Sequence, residues 1–169
     1  LKIMLRDSDQ RVVASVLRAL VRLRPDGINA TLLDHLHSDD PDVRAISAQG
    51  IGELMLEGAV ESLVETYHRS NDELHSVTRM AVIDALSNYQ TPSAQSAVEV
   101  AMADSDWSIR ERAAEILSER DPSRNYMKMI RPAPVTMSSV AYDEDELVSP
   151  TVSPHVYLDT SKGTVQIEL

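Results

Sequence analysis

The sequence predicts an all-α fold: a right-handed α-solenoid of about four helical hairpins, with a C-terminal linker and a short β-hairpin. Three observations predict it. First, one set of residues recurs four times with the spacing i, i+4, i+7, i+8, i+11, which is one face of an α-helix. The sets are Val12-Val16-Ala19-Leu20-Leu23, Val43-Ser47-Gly50-Ile51-Leu54, Thr78-Val82-Ala85-Leu86-Tyr89 and Ile109-Ala113-Ile116-Leu117-Arg120. They begin at residues 12, 43, 78 and 109, a period that belongs to repeats packing only on their neighbours. Second, 43% of the 169 residues are hydrophobic, yet there is no Phe and a single Trp. A core of Leu, Val, Ile, Ala and Met suits closely spaced helices. Third, the helical period stops after Arg120, and a two-residue alternation appears near the C-terminus.

The elements follow in order. Leu1 and Leu5 read as the remnant of a truncated first helix, and the chain reads as an excerpt of a longer protein. The four recurring sets occupy the second helix of each hairpin, predicted near 9–24, 41–55, 72–89 and 107–119. Shorter first helices carry Leu32, Leu33 and Leu36; then Val60, Leu63, Val64 and Tyr67; then Ala94, Ala97, Val98, Ala101 and Met102. Between first and second helices lie Asp7-Ser8-Asp9, Ser38-Asp39-Asp40, Ser70-Asn71-Asp72 and Asp104-Ser105-Asp106. Such side chains accept hydrogen bonds from the free N–H groups of a helix start, and their charge suits its positive dipole end. Pro41 stands where a first helical residue lacks a partner for its N–H anyway.

The interval from 43 to 78 exceeds its neighbours by four residues, about one helical turn. Leu74 continues the apolar stripe, so the third second helix is expected to start one turn early. Leu17, Ala48, Ile83 and Ala114 form another apolar column, so each second helix should be buried on a wide face. Pro25-Asp26-Gly27 and Thr91-Pro92 separate hairpins, and Gly58 is placed as a helix C-cap.

The domain division predicted is 1–120 for the solenoid, 121–154 for a Pro-rich acidic linker and 155–169 for the start of a β domain. Met127, Met129 and Ile130 are expected to mask the open end of the solenoid. Val156 and Leu158, then Val165, Ile167 and Leu169, alternate with other residues around Ser161-Lys162-Gly163, the pattern of a β-hairpin.

The helical pattern resembles HEAT repeats, particularly the short bacterial HEAT-like kind, over roughly residues 1–120. The residues that carry the likeness are an acidic turn followed by an apolar-Arg pair: Asp40-Pro41-Asp42-Val43-Arg44 and Asp106-Trp107-Ser108-Ile109-Arg110. Thr78-Arg79 keeps the Arg without a near acidic turn, and Val12-Val13 lacks it. The resemblance implies that Arg44, Arg79 and Arg110 form a structural ladder, pairing with turn carboxylates and tying successive repeats together; hydrogen bonds to turn carboxylates or helix-end carbonyls are expected of all three. Armadillo and tetratricopeptide repeats fit less well. The last segment resembles the first hairpin of a cyclophilin-type peptidyl-prolyl cis-trans isomerase, through Leu158-Asp159-Thr160, Gly163 and Val165-Gln166-Ile167-Glu168-Leu169. In that family the catalytic Arg and its pocket lie beyond the first hairpin, so no catalytic residue carries over and this fragment is expected to be inactive. The parent protein is expected to be an isomerase of X-Pro bonds, whose uncatalysed barrier is ~18–20 kcal/mol.

Charge and composition narrow the partners. The formal net charge is −11, from 16 basic and 27 acidic residues, which opposes a nucleic-acid footprint. Without Cys there is no disulfide or thiolate chemistry, and no apolar run reaches the ~18 residues of a membrane span. His35 and His37 point in different directions on a helix, and Asp143-Glu144-Asp145-Glu146 lacks the Gly and alternating ligands of a calcium loop. No catalytic, metal or cofactor site is therefore assigned, and none of the cofactor classes is expected. His68 and His75 flank a turn without a supporting carboxylate, and Trp107, the sole Trp, is a possible anchor or a residue packed over its own turn.

The candidate protein-binding face consists of outward columns on the second helices: Arg11, Arg18 and Arg22, then Gln49 and Glu53, then Asp84, then Glu115 and Glu119. It runs from basic to acidic and is expected either to orient an extended polypeptide or to be plain solvated surface. The function expected is a protein-interaction module holding a client or tether near an isomerase domain, with its effective concentration raised by the linkage. A structural HEAT scaffold unrelated to isomerases, and a bilin lyase-type HEAT-like protein, are the alternatives. Self-association through the terminal hairpin is expected as a product of truncation, since a lone hairpin has open edges.

Overall fold

Asp9, Asp40, Thr91 and Asp106 each leave the helical conformation and accept a backbone N–H from the helical turn that follows. The computed structural model in which they do so describes residues 2–71, 76–130 and 155–168. In chain order it has a 3-10 turn Lys2–Arg6, α1 Gln10–Leu23, α2 Ile28–His35, α3 Pro41–Leu54, α4 Val60–Arg69, α5 Val77–Ser87, α6 Pro92–Ala101, α7 Trp107–Arg120 and a 3-10 turn Tyr126–Met129. Strands β1 His155–Thr160 and β2 Gly163–Glu168 follow. The chain divides into two units, Leu1–Pro134 and Val135–Leu169.

The first unit is an all-α repeat solenoid. The second helices α1, α3, α5 and α7 stack in chain order, and each of α2, α4 and α6 packs on the second helix that follows it. The 3-10 turn Lys2–Arg6 packs on α1 in the place of a full first helix. Leu17, Ala48, Ile83 and Ala114 have no exposed surface, and Leu20, Ile51, Leu86 and Leu117 are buried beside them. Two columns are thus enclosed on each second helix, because an interior repeat has neighbours on both sides.

Small residues set the closest approach. A Cβ placed on Gly52 would lie 2.7 Å from Ala85 Cα, so α3 and α5 meet nearly backbone to backbone there. Hydrogen bonds fix their register at both ends. Thr78 Oγ1 donates to the Pro41 carbonyl at 3.1 Å, and the Tyr89 hydroxyl lies within reach of the Ile51 and Leu56 carbonyls at 3.2 and 3.0 Å. Asn88 Nδ2 donates to the Gly52 carbonyl at 3.4 Å.

Several expectations are corrected. The third second helix does not start early: α5 begins at Val77, after Ser76, and ends at Ser87. Ser70 instead terminates α4, while Asp72, Leu74 and His75 lie outside the described residues. Helix α3 is closed not by Gly58 but by Met55, which adopts the left-handed conformation at φ 49°. The next N–H, that of Leu56, bonds back to Ile51, and the Leu56 side chain is buried. That hydrophobic anchor offsets the left-handed strain at Met55. Thr91 and Pro92 do not merely break the chain; they are the N-cap and first residue of α6. Leu23 is 64% exposed, whereas Tyr89 in the same column is buried. At the C-terminal end of the unit Tyr126 and Ile130 are buried, while Met127 and Met129 stand exposed.

In the second unit β1 and β2 pair antiparallel, with Val156 opposite Ile167, Leu158 opposite Val165 and Thr160 opposite Gly163. The loop is therefore Ser161-Lys162, with Gly163 already in the strand. Thr160 Oγ1 donates to the Gly163 carbonyl at 2.7 Å and accepts the Lys162 N–H. Most of the 121–154 segment, the Asp143–Glu146 run included, and Leu1 and Leu169 lie outside the described residues.

Candidate protein-binding surface

The second helices carry the candidate face. Arg11, Arg18 and Arg22 are exposed on α1, Gln49 and Glu53 on α3, and Glu115 and Glu119 on α7, while Asp84 is half-exposed on α5. Arg18, Arg22, Gln49 and Glu53 line a groove of about 140 Å³ between α1 and α3, over Val21 and Gly50. A second hollow of about 220 Å³ holds Arg11 and Arg18 opposite Asp40 and Asp42. Arg18 belongs to both, so the two hollows share one wall along α1. Beneath the groove Gly50 lets α1 approach closely: a Cβ there would lie 2.6 Å from Val21 Cγ2.

Electrostatics are less one-sided than the sequence suggests. Arg11 is held by Asp9 at 2.8 Å, a fully solvated pair that also caps α1. At the other end Arg112 Nε donates to Asp84 at 2.6 Å, and its Nη1 to Glu115 at 3.0 Å. The hydrogen bond to Asp84, foremost, raises the Arg112 pKa. Arg112 escaped the sequence reading, although Ser15, Ile46 and Ala81 occupy its column and a charge there is conspicuous. Asp84 and Glu115 thus share one guanidinium, which offsets one of their two charges, and Glu119 adds to the acidic end.

The arginine ladder lies inside. Arg44, Arg79 and Arg110 are buried. Each donates to a carbonyl of the turn that ends the first helix of its own repeat: Arg44 to Ser38 at 2.6 Å, Arg79 to Ser70 at 2.7 Å, and Arg110 to Asp104 and, at 3.0 Å, to Ser105. Arg79 also meets a carboxylate, that of Asp104. Asp104 comes from the following repeat. Burial, then the Arg69 charge, pushes the Arg44 pKa down. Arg69 itself reaches back to the Leu36 carbonyl at 2.8 Å and to His37 Nδ1, which accepts at 3.0 Å.

The remaining candidates are dispersed. His35 Nδ1 lies 2.8 Å from the Thr31 carbonyl of its own helix. Trp107 is half-exposed, with the Arg110 guanidinium 5.4 Å from its ring centroid, a cation–π distance. Among the described residues no three His, Asp or Glu side chains are placed to hold a metal ion, and no helix is long and apolar enough to cross a membrane.

Residues 1–77 match the family model for HEAT repeats. No curated protein matches the chain. The matched stretch covers the first two repeats and α4, and α5 to α7 continue the same stacking. The match and the continued stacking support a HEAT-repeat fold.

Proposed function

We propose that this chain is the protein-interaction module of a larger cyclophilin-type prolyl isomerase, and that its second-helix face holds a client or tether polypeptide near the isomerase domain. The observation that carries the interaction reading is the α1–α3 groove, where Arg18 and Arg22, with no salt-bridge partner among the described residues, face Gln49 and Glu53 over an apolar floor. Such a lane offers both charges and amide groups to an extended backbone, and a rigid stack of helices presents them at fixed spacing. The resemblance of the β1–β2 segment to a cyclophilin hairpin supports the isomerase half.

Two measurements test this. Peptides selected from a random library on the chain should lose affinity about tenfold on R18E/R22E, the scale of a few lost charge pairs. Selection of the same peptides by the variant would leave the face as solvated surface. A coupled assay on a proline-containing peptide should show turnover by the parent protein and none by this fragment. A parent without turnover would remove the isomerase link and leave a structural scaffold.

A further inference from the structure

A second concavity lies on the first-helix side of the stack. It occupies about 630 Å³ between α4 and α6, and none of the second-helix face residues lines it. The α4 wall presents Glu61, Val64, Glu65 and His68, a spacing that keeps them on one helical face. The opposite wall is built of short side chains, Ser93, Ser96 and Ala97, with Val100 at its end. The side chains that α6 presents to the groove are too short to bridge the gap, and its long ones, Gln95 and Glu99, pair with each other outside the lining. Its floor is apolar: Val64 is half-buried, Ala97 buried, and Val100 53% exposed. Its rim is acidic: Glu61 and Glu65 are exposed and have no salt-bridge partner among the described residues.

We propose that this groove is a second protein-binding surface, whose occupant is a basic amphipathic helix of a partner protein. A ridge of side chains on that helix would seat between α4 and α6, as ridges enter grooves in helix packing. An apolar residue would cover Val64 and Val100, and Lys or Arg one turn away would pair with Glu61 and Glu65. The contact is short: Glu61 to His68 spans about 10 Å along α4, so a partner would engage with about two turns. Charge selects the occupant, because an acidic helix would meet two uncompensated carboxylates and a neutral one would leave them unpaired.

The probe is a fluorescent Leu/Lys amphipathic peptide of about 15 residues, long enough to hold some helix, read by anisotropy at physiological salt. Binding by the full chain should weaken about tenfold or more on E61K/E65K, which reverses both rim charges on exposed positions. Val100→Asp should weaken it similarly, and a peptide of equal charge with Leu replaced by Ser should bind at least tenfold less well. R18E/R22E should leave it unchanged, which separates this surface from the second-helix face. Circular dichroism checks that each variant keeps its helices. Equal binding by E61K/E65K or Val100→Asp, equal binding of the Ser peptide, loss on R18E/R22E, or no binding by the unaltered chain would each overturn the proposal.

Discussion

Arg79 and Asp104 form a two-point ion pair in the interior, Nε to Oδ2 at 3.0 Å and Nη2 to Oδ1 at 3.2 Å, with side chains 3% and 2% exposed. Asp104 also accepts the Tyr67 hydroxyl and the Asp106 N–H. Burial, and then the bond to Asp104, pushes the Tyr67 phenol pKa up. One carboxylate thereby joins α4, α5 and the start of α7. Asp104→Ala should destabilise the solenoid by about 3–5 kcal/mol in urea denaturation, because Arg79 would remain buried without its counter-charge. R79M/D104L, which removes both charges, should lose less than Asp104→Ala alone. The reverse order would mean that packing, not charge compensation, sets the effect.

Leu86 is fully buried in an interior repeat. Leu86→Ala should lower stability by about 2–5 kcal/mol, since neighbours on both sides limit collapse of the cavity. A loss below about half a kilocalorie, within the range of surface changes, would place Leu86 outside the core.

Gly52→Ala should destabilise, although alanine is the better helix former by about 1 kcal/mol. The added methyl would sit 2.7 Å from Ala85 Cα and 2.8 Å from Ala85 Cβ. Backbone cannot rotate away, so α3 and α5 must part, at about 1–3 kcal/mol. Thermal melts decide it; a raised Tm would show that the two helices are free to separate.

Tyr89→Phe tests an inter-repeat clasp. Its hydroxyl serves the Ile51 and Leu56 carbonyls from a buried position, and the loss should be about 1–2 kcal/mol, with ring packing retained. Denaturation no different from the unaltered chain would mean that those carbonyls find water.

Asp106 gives a pH test. The hydrogen bond from Ser76, first, holds its carboxyl below the usual carboxylate range, aided by Ser108 and by the Arg79 charge. A lowered folded pKa contributes stability that is present above the unfolded value of about 3.9 and is lost as pH falls through the folded value. Asn still caps a helix but carries no charge. The Tm deficit of Asp106→Asn should therefore be largest above about pH 4 and shrink below it. A constant deficit down to pH 2 would show that the charge contributes nothing.

The stacking was legible because it is periodic: an apolar column every second helix is visible in the chain itself. Arg44, Arg79 and Arg110 were visible for the same reason, but the partner of Arg79 was not. Asp104 is distant in sequence and belongs to the next repeat, so only the fold brings it near. Tyr89 and Arg120 sat in a column read as apolar. Their polar ends serve carbonyls of the preceding repeat, an arrangement that depends on where α3 and α5 stop. The exposed face could be placed on helices, yet its charge balance turned on Arg112. The α4–α6 groove left no motif, because it is made by the shortness of Ser93, Ser96 and Ala97 rather than by any residue that stands out.

The clasps between repeats have a direction. Among the described residues, side chains that reach a carbonyl of another repeat do so backwards: Arg69 to Leu36, Thr78 to Pro41, Asn88 to Gly52, Tyr89 to Ile51 and Leu56, and Arg120 to Leu86, Ser87 and Tyr89. During synthesis the N-terminal repeats leave the ribosome first, with the carbonyls at their helix ends still wet. Each later repeat arrives carrying the donors that close the one before it. Growth of the chain and completion of its hydrogen bonds therefore proceed in the same order, and a nascent chain is always finished behind its growing end.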